Sequence, residues 1–485
     1  MKKILFLLCA FLFFNFSLFA QIDDVASYEE IMAQVQSVSP ELQAFIDADF
    51  SEYSESDIIN AFIDLSGESD RRQELLDFYF EQAEQIDTAA AWALVAEGVT
   101  SESSNYNYKL ADALNMQMHK VSFKNYNKNT FTLAEIKDHK MYDCVSATVF
   151  YAALLRRHFV PGIPIESIDH VLMAIPFAER RVYVETTSCY GFDPGTKKEF
   201  QSNMTKSITF NYVMPGSKKA YGEMNIKQLL SKVVQNRVYM CTKNKQYLEA
   251  AQLAYAFKLM CSDENGEKSY QTALGNLTNV MSASNNRLRR FEESYKWIEP
   301  LEDSQNKVAL LNNAYLAVSN NVEKTGNYQQ GFDNLDLSLK YGVTAKNKEY
   351  LRFRTLLVNN YCVSSVQQRQ YEDAKSLLQN EMALDIIPRP DLLKLYRSAC
   401  VKQANELSKT NQNRQAIEIS LDCLELMPKD NVLANNLKVY YKKYIEYLAM
   451  QDPEEAKKVI EEARQRFPNE KVFTELTGLT REDLR

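Results

Sequence analysis

Apolar residues recur at helical spacing along most of the chain. Residues 27–100 repeat them three and four positions apart, which is typical of amphipathic helices, and Ser39 followed by Pro40 marks one capped helix start. Residues 101–130 are polar and rich in Asn, Ser and Tyr. This composition indicates a loop-bearing boundary after the first helices.

The pattern changes in the middle of the chain. The strongly apolar run over Cys144–Arg157 predicts a helix. Residues 170–175 and 181–187 are rich in β-branched side chains, which is typical of strands, and 208–213 is a further candidate strand. A helix followed by an antiparallel sheet indicates an α+β domain.

From residue 226 to the end, the pattern predicts pairs of helices. The second helix of each pair opens with a recurring phrase that ends in a small residue: Tyr247-Leu-Glu-Ala250, Phe291-Glu-Glu-Ser294, Tyr328-Gln-Gln-Gly331, Tyr371-Glu-Asp-Ala374, Asn413-Arg-Gln-Ala416 and Pro453-Glu-Glu-Ala456. The segment resembles tetratricopeptide repeats. Its repeats exceed the usual length of about 34 residues, so some first helices must be extended. The resemblance implies a solenoid over 223–485 that binds a protein or peptide partner.

Composition excludes several other classes. The 485 residues are 45% hydrophobic and 25% charged, as in folded soluble proteins, and 13 Gly with 12 Pro argue against an all-β architecture. Four histidines and no Cys-x-x-Cys motif give no reason to expect a metal site or a cofactor. Residues 21–100 hold 19 Asp and Glu against two Arg, and nothing indicates nucleic-acid binding.

The first 20 residues predict a secretory signal peptide. Lys2 and Lys3 form a positive start, residues 4–14 are apolar, and Ala20 ends a small-residue cleavage site. The alternative is a buried first helix. No later segment approaches the ~20 apolar residues that span a bilayer. We therefore expect an exported protein, periplasmic or extracellular, with no membrane span in the mature chain.

Seven cysteines remain after the signal peptide, and an odd number leaves at least one free thiol. Four of them fall in the predicted helix pairs, where we expect them to pack as small buried apolar groups: Cys241, Cys362, Cys400 and Cys423.

One group of residues has a spacing suited to nucleophilic catalysis. Asp143 can cap a helix that begins at Cys144, where the positive end of the helix dipole favours a thiolate. His170, on the next predicted strand, is a candidate base, and Glu185 is a candidate acceptor that orients it. If the turn lies at 176–179, paired residue numbers add up to 355 and His170 stands directly opposite Glu185.

The same register assigns alternate residues to the two faces of the hairpin. Leu172 and Ala174 share the face of His170, and Val171 and Met173 form the core side. The chain has three other histidines, for which no comparable acid partner is evident: His119, His139 and His158.

Five short motifs lie in this part of the chain: Asp143-Cys144-Val-Ser-Ala, Tyr151-Ala-Ala-Leu-Leu-Arg156, Gly162-Ile-Pro164, His170-Val171 and Tyr183-Val-Glu185-Thr-Thr187. Together they resemble the core of the transglutaminase-like superfamily, which has a papain-like Cys-His-acid arrangement. The resemblance implies Cys144 as nucleophile, His170 as base and acid, and Glu185 as the residue that orients it. Glu185 departs from the usual aspartate, and Tyr142 stands where glycine is common. The backbone N–H of Cys144 is the only evident oxyanion donor.

Asp193 lies within Gly191-Phe192-Asp193-Pro194-Gly195, a sequence that predicts a turn or lid. A catalytic role for Asp193 is the less favoured interpretation.

We therefore expect a multidomain, mainly α protein, with an acidic helical region over 21–109, a transglutaminase-like α+β domain over 110–222 and a tetratricopeptide-like solenoid over 223–485. The leading function is an exported thiol-dependent acyl-transfer enzyme that hydrolyses or transfers an amide of a protein or peptide. The alternative is a non-catalytic scaffold for protein–protein interaction, and a fully buried Cys144 would favour it.

Overall fold

The computed structural model describes residues 26–167, 170–178, 180–196, 222–261, 264–301 and 304–474. Within these residues the protein is mainly helical, with 20 α-helices and a small antiparallel sheet. The predicted signal peptide over 1–20 and the candidate strand over 208–213 lie outside the described residues. No described helix combines the length and the apolar composition needed to cross a membrane.

Seven helices precede or adjoin the sheet: α1 Tyr28–Val35, α2 Pro40–Asp47, α3 Glu55–Ser66, α4 Arg72–Ala96, α5 Tyr106–Val121, α6 Leu133–His139 and α7 Cys144–Arg157. Helices α2 and α7 begin where the sequence predicts them. The expectation of a loop over 101–130 is wrong in part, because α5 occupies Tyr106–Val121. Its apolar positions Leu110, Leu114 and Met118 lie one helical turn apart and are buried, and this packing outweighs the polar composition.

The sheet has four strands in the order β5-β4-β3-β6: β3 Ile163–Ser167, β4 His170–Pro176, β5 Arg181–Val184 and β6 Gly222–Glu223. A separate parallel pair joins β1 Asn125–Tyr126 to β2 Met141–Tyr142. Strand β3 contains Pro164, which is why its sequence did not indicate a strand. The Pro164 carbonyl still accepts a hydrogen bond from the Met224 N–H (2.9 Å).

The register of the β4–β5 hairpin differs from the prediction by two residues. Ala174 faces Tyr183 rather than Arg181, so paired residue numbers add up to 357. Pairing extends beyond the strands, because the Phe177 N–H donates to the Arg180 carbonyl (3.0 Å). The loop is therefore shorter than the four residues expected. A shift of two preserves the face to which every side chain points.

The expectation of a single core face on β4 is wrong. Val171 and Met173 are buried as predicted, but Leu172 and Ala174 on the other face are buried as well. Leu172 and Ala174 form an apolar cluster with Ile165 of β3. The sheet is therefore covered on both faces. For this reason its strands show less alternation of apolar and polar residues in sequence.

Six helix pairs follow the sheet: α8 Ile226–Lys243 and α9 Tyr247–Met260, α10 Glu264–Arg287 and α11 Phe291–Ile298, α12 Gln305–Thr325 and α13 Tyr328–Lys340, α14 Lys348–Gln367 and α15 Tyr371–Leu384, α16 Arg389–Lys409 and α17 Asn413–Leu426, α18 Asn431–Gln451 and α19 Pro453–Arg466. The short helix α20, Lys471–Thr474, comes last.

Each second helix begins at the residue that opens the recurring phrase, and its small residue is buried. Gly331 shows why the residue must be small, because a Cβ there would lie 2.6 Å from Leu357 Cδ1. First helices have 18 to 24 residues and second helices 8 to 14. The predicted helix pairs and extended first helices are confirmed.

The described chain forms two compact units, which divide between Val280 and Met281. This division differs from the expected boundaries. Residue 109 falls inside α5, and the boundary after 222 would separate the sheet from α8, which packs on α3, α7 and β3. The first helix pair therefore belongs to the unit that contains Cys144.

The four cysteines of the helix pairs are buried, as expected. Burial raises the pKa of Cys241 to about 11 and that of Cys362 to about 12, so both thiols stay protonated. Cys400 and Cys423 belong to one buried apolar cluster, a proximity that no spacing in the sequence indicated.

Candidate active site

Cys144 is the first residue of α7. Asp143 caps the helix reciprocally, since Asp143 Oδ1 accepts from the Ser146 N–H (2.8 Å) and Ser146 Oγ accepts from the Asp143 N–H (2.9 Å). The thiol therefore lies at the positive end of the helix dipole. Cys144 is partly exposed, so it is not the fully buried thiol that would favour a scaffold.

Asp143 also connects this helix to the first helix pair. Its Oδ2 accepts a hydrogen bond from Asn236 Nδ2 of α8 (2.9 Å). Burial raises the pKa of Asp143 to about 7, against the opposing effect of the hydrogen bonds from Ser146. Asp143 thus changes charge near neutral pH. It is also held by α8, a helix outside the domain predicted over 110–222.

His170 and Glu185 meet as diagonal neighbours rather than directly opposite one another. His170 Nε2 lies 2.9 and 2.7 Å from the two carboxylate oxygens of Glu185. The Cys144 side chain lies close enough to His170 to raise the pKa of its imidazole. The structure therefore brings together the three residues that the sequence indicated.

The two ionisable partners stabilise each other's charged form. Burial favours neutral His170, but the charge of Glu185, the nearby Cys144 and the hydrogen bond with Glu185 outweigh it and raise the pKa of His170 to about 10. Burial likewise opposes the charge on Glu185, yet the charge of His170 holds the pKa of that carboxyl below its usual value. The pair is therefore an ion pair at neutral pH.

The backbone around Glu185 positions its carboxylate. Thr187 donates to Glu185 Oε1 from its N–H (3.2 Å) and from its hydroxyl (2.6 Å). The Glu185 N–H donates to the Gly191 carbonyl (2.8 Å), and a Cβ on Gly191 would lie 1.9 Å from the Glu185 carbonyl oxygen. Only glycine allows this close approach.

Three side chains hold the segment 186–188, which follows Glu185. Asn115 Nδ2 donates to one of its backbone carbonyls (3.0 Å), His119 Nε2 to another (2.9 Å), and the Tyr142 hydroxyl to the third (3.1 Å). Burial lowers the pKa of His119 to about 4, so this imidazole is neutral. His119 and Tyr142 therefore hold the backbone that directly follows Glu185.

Thr148 links the cysteine helix to the same segment. Its hydroxyl donates to the Cys144 carbonyl (2.7 Å) and lies 2.7 Å from the Thr186 hydroxyl. Cys144 and the segment that follows Glu185 are thus connected through one buried side chain.

Tyr126 is a residue of the site that the sequence did not reveal. It pairs with Tyr142 in the β1–β2 ladder, their ring centroids lie 5.9 Å apart, and Tyr126 is 48% exposed. Burial and the nearby charges of Cys144 and Asp143 raise its pKa, so the hydroxyl stays protonated. Among the described residues, this hydroxyl has no hydrogen-bond partner.

Two other expectations concern residues near the site. Asp193 belongs to a turn, as expected, and its carboxylate pairs with Arg180 and accepts from the Tyr108 hydroxyl (2.8 Å). His158 has an acid partner after all, since its Nε2 lies 2.7 Å from Asp87 Oδ1. That pair lies at the C-terminal end of α7, away from Cys144, where the sequence separation of 71 residues concealed it.

Comparison of the sequence with protein-family models and with curated proteins, and of the structure with solved structures, found no match. In the part of the chain that the structure describes, no three His, Cys, Asp or Glu side chains are placed to hold a metal ion. Any chemical role of Cys144, His170 and Glu185 must therefore be inferred from the geometry of these residues.

Proposed function

We propose that the protein is an exported, thiol-dependent acyl-transfer enzyme of the transglutaminase-like class, which acts on an amide of a protein or peptide. The arrangement of His170 carries the proposal. This imidazole hydrogen-bonds to the buried carboxylate of Glu185, and its pKa is raised by the nearby Cys144, which begins a helix. A nucleophile, a base and an acid in this order form the unit that thiol acyl-transfer enzymes use.

The reaction begins with the Cys144 thiolate, which adds to the amide carbonyl carbon. The C–N bond then breaks as the His170 imidazolium donates its proton to the departing amine, and a thioester remains on Cys144. Water or a second amine attacks the thioester while His170 accepts its proton. The products are a carboxylic acid or a new amide, and the Cys144 thiolate and His170 imidazolium are restored.

Charge develops on the carbonyl oxygen during both additions. The backbone N–H of Cys144, at the start of α7, is one donor for this oxyanion. The protonated hydroxyl of Tyr126 is the second, because it is partly exposed and lies close enough to Cys144 to be affected by its charge. This assignment supplies the side-chain donor that the sequence did not indicate.

The remaining parts of the proposal come from the sequence. Lys2, Lys3 and the apolar run up to the cleavage site at Ala20 support export. The repeating helix pairs resemble tetratricopeptide repeats, which supports a role in presenting a protein or peptide to the enzyme.

The test is covalent labelling of the purified protein with an electrophile that mimics an amide, followed by peptide mass mapping. We expect rapid labelling of Cys144, which is lost in Cys144→Ser and at least ~100-fold slower in His170→Asn. Cys189→Ser is the matched control, because Cys189 is similarly exposed and belongs to the same unit. Equal labelling of Cys144 and Cys189 would favour the non-catalytic scaffold.

A further inference from the structure

The helices of the second unit differ in charge according to their place in the pair. The first helices of its last four pairs, α12, α14, α16 and α18, contain 13 Lys and Arg against 5 Asp and Glu. The second helices of the same pairs, α13, α15, α17 and α19, contain 7 against 12. Positive charge is therefore concentrated on one row of helices.

The first helices form a continuous row. Helix α12 packs against α14, α14 against α16, and α16 against α18. Their solvent-exposed sides therefore make one surface, which we call the first-helix face.

Exposed apolar side chains concentrate on the same row. Among the described residues, the second helices of these pairs expose only Leu339 and Leu384. The first helices expose eight large apolar residues: Val308, Leu316, Leu356, Val363, Val432, Val439, Tyr447 and Met450. Exposed apolar groups beside charged ones are typical of surfaces that bind other proteins.

Helix α16 presents the most basic part of the face. Its residues Lys394, Lys402 and Lys409 are exposed and lie along one side of the helix. Within the described chain, no carboxylate lies within salt-bridge distance of Lys402 or Lys409. Lys443 of α18 brings a further cation to this region.

The contact that places Lys443 there is with α16. Its Nζ lies 3.4 Å from Ser408 Oγ, next to Lys409 in sequence. Three ammonium groups are thus available to carboxylates of a partner.

We propose that the first-helix face binds an acidic segment of another protein, whose carboxylates pair with Lys402, Lys409 and Lys443 and whose apolar residues cover the exposed aliphatic side chains. A protein segment fits better than a nucleic acid. The exposed apolar groups are mostly aliphatic rather than aromatic, and the whole chain carries a net charge of −8, which repels phosphates.

The experiment uses the full-length protein and a random 12-residue peptide display library. Selected peptides are expected to be enriched in Asp, Glu and large aliphatic residues over the input. An enriched peptide, labelled with fluorescein, is then titrated with wild type and with the charge-reversed variant Lys402→Glu/Lys409→Glu. We expect the dissociation constant to rise by roughly tenfold or more in the variant, and to rise with salt in the wild type.

The matched control is Lys457→Glu/Lys458→Glu in α19, because these lysines are also exposed and lie on a second helix. We expect its affinity to stay within about twofold of wild type. An absence of enriched peptides, enrichment of basic peptides, or equal loss in both variants would overturn the proposal. The proposal would also be overturned if no peptide is selected and Lys402 and Lys409 instead bind a single-stranded oligonucleotide or a second copy of the chain. Neither readout involves Cys144, so the result is independent of the catalytic proposal.

Discussion

At the scale of single residues, Glu185 sets the protonation state of His170. The substitution Glu185→Gln removes the negative charge that stabilises protonated His170 against the effect of burial. The pKa of His170 should therefore fall from about 10. NMR titration of the His170 ring protons should show this shift, with labelling of Cys144 at least ~100-fold slower at neutral pH.

The control for this experiment is Asp87→Asn. This change removes the acid partner of His158 and should leave the His170 titration unchanged. The same pKa for His170 in wild type and Glu185→Gln would contradict the account.

The His170–Glu185 pair also makes stability depend on pH. The raised pKa of His170 contributes stability that is complete below about pH 6.5 and is lost as the pH rises through about 10. The lowered pKa of Glu185 contributes stability above pH 4.5, which is lost as the pH falls through its folded-state pKa. Melting temperatures of wild type and His170→Asn should therefore differ most between about pH 4.5 and pH 6.5. They should converge above pH 10 and below the folded-state pKa of Glu185.

Tyr126 tests the oxyanion assignment. Tyr126→Phe removes the hydroxyl and keeps the ring, so acyl transfer from an activated ester should slow by about 10²–10³-fold. Alkylation of Cys144 by iodoacetamide forms no oxyanion and should be unchanged. Tyr190→Phe, at another partly exposed tyrosine, is the control. Equal slowing of both reactions in Tyr126→Phe would show that the tyrosine acts on the thiol instead.

At the scale of elements, the turn after β5 determines where Glu185 lies. Gly191→Ala would place a methyl group against the Glu185 backbone, so we expect a loss of about 2–4 kcal/mol in unfolding free energy and loss of Cys144 labelling. Gly222→Ala in β6 is the matched control, because nothing lies within 4 Å of its added Cβ. Unfolding in denaturant measures both, and equal stability of the two variants would contradict this role.

Local signals predicted the helix that begins at Cys144 and the strand that begins at His170, whereas Glu185 lies one residue beyond the end of β5. Asp143 is a strong cap followed by an apolar run, and β-branched residues mark β4 and β5. Other features depend on contacts between distant residues. Packing forms α5 despite its polar composition, and the position of Tyr126 depends on the pairing of β1 with β2. The hairpin register depends on turn geometry, but its even shift left His170 and Glu185 on one face.

At the scale of the whole molecule, the first helix pair completes the unit that contains Cys144. Helix α8 packs on α3 and α7, Asn236 binds Asp143, and Lys232 Nζ lies 2.6 Å from Glu166 of β3. A fragment covering 21–280 should therefore fold and keep the labelling of Cys144, whereas 21–222 should not. Circular dichroism melting of both fragments tests this, and cooperative unfolding of 21–222 would support the boundary expected from the sequence.

The central claim is that Cys144, His170 and Glu185 act as one acyl-transfer unit. Its most direct test is intact-protein and peptide mass spectrometry of the purified protein during reaction with 4-nitrophenyl acetate. We predict a burst of 4-nitrophenol with an acetyl group on Cys144, absent in Cys144→Ser and strongly slowed in His170→Asn and Glu185→Gln. An unmodified Cys144, or acetylation of Cys189 at the same rate, would contradict the account.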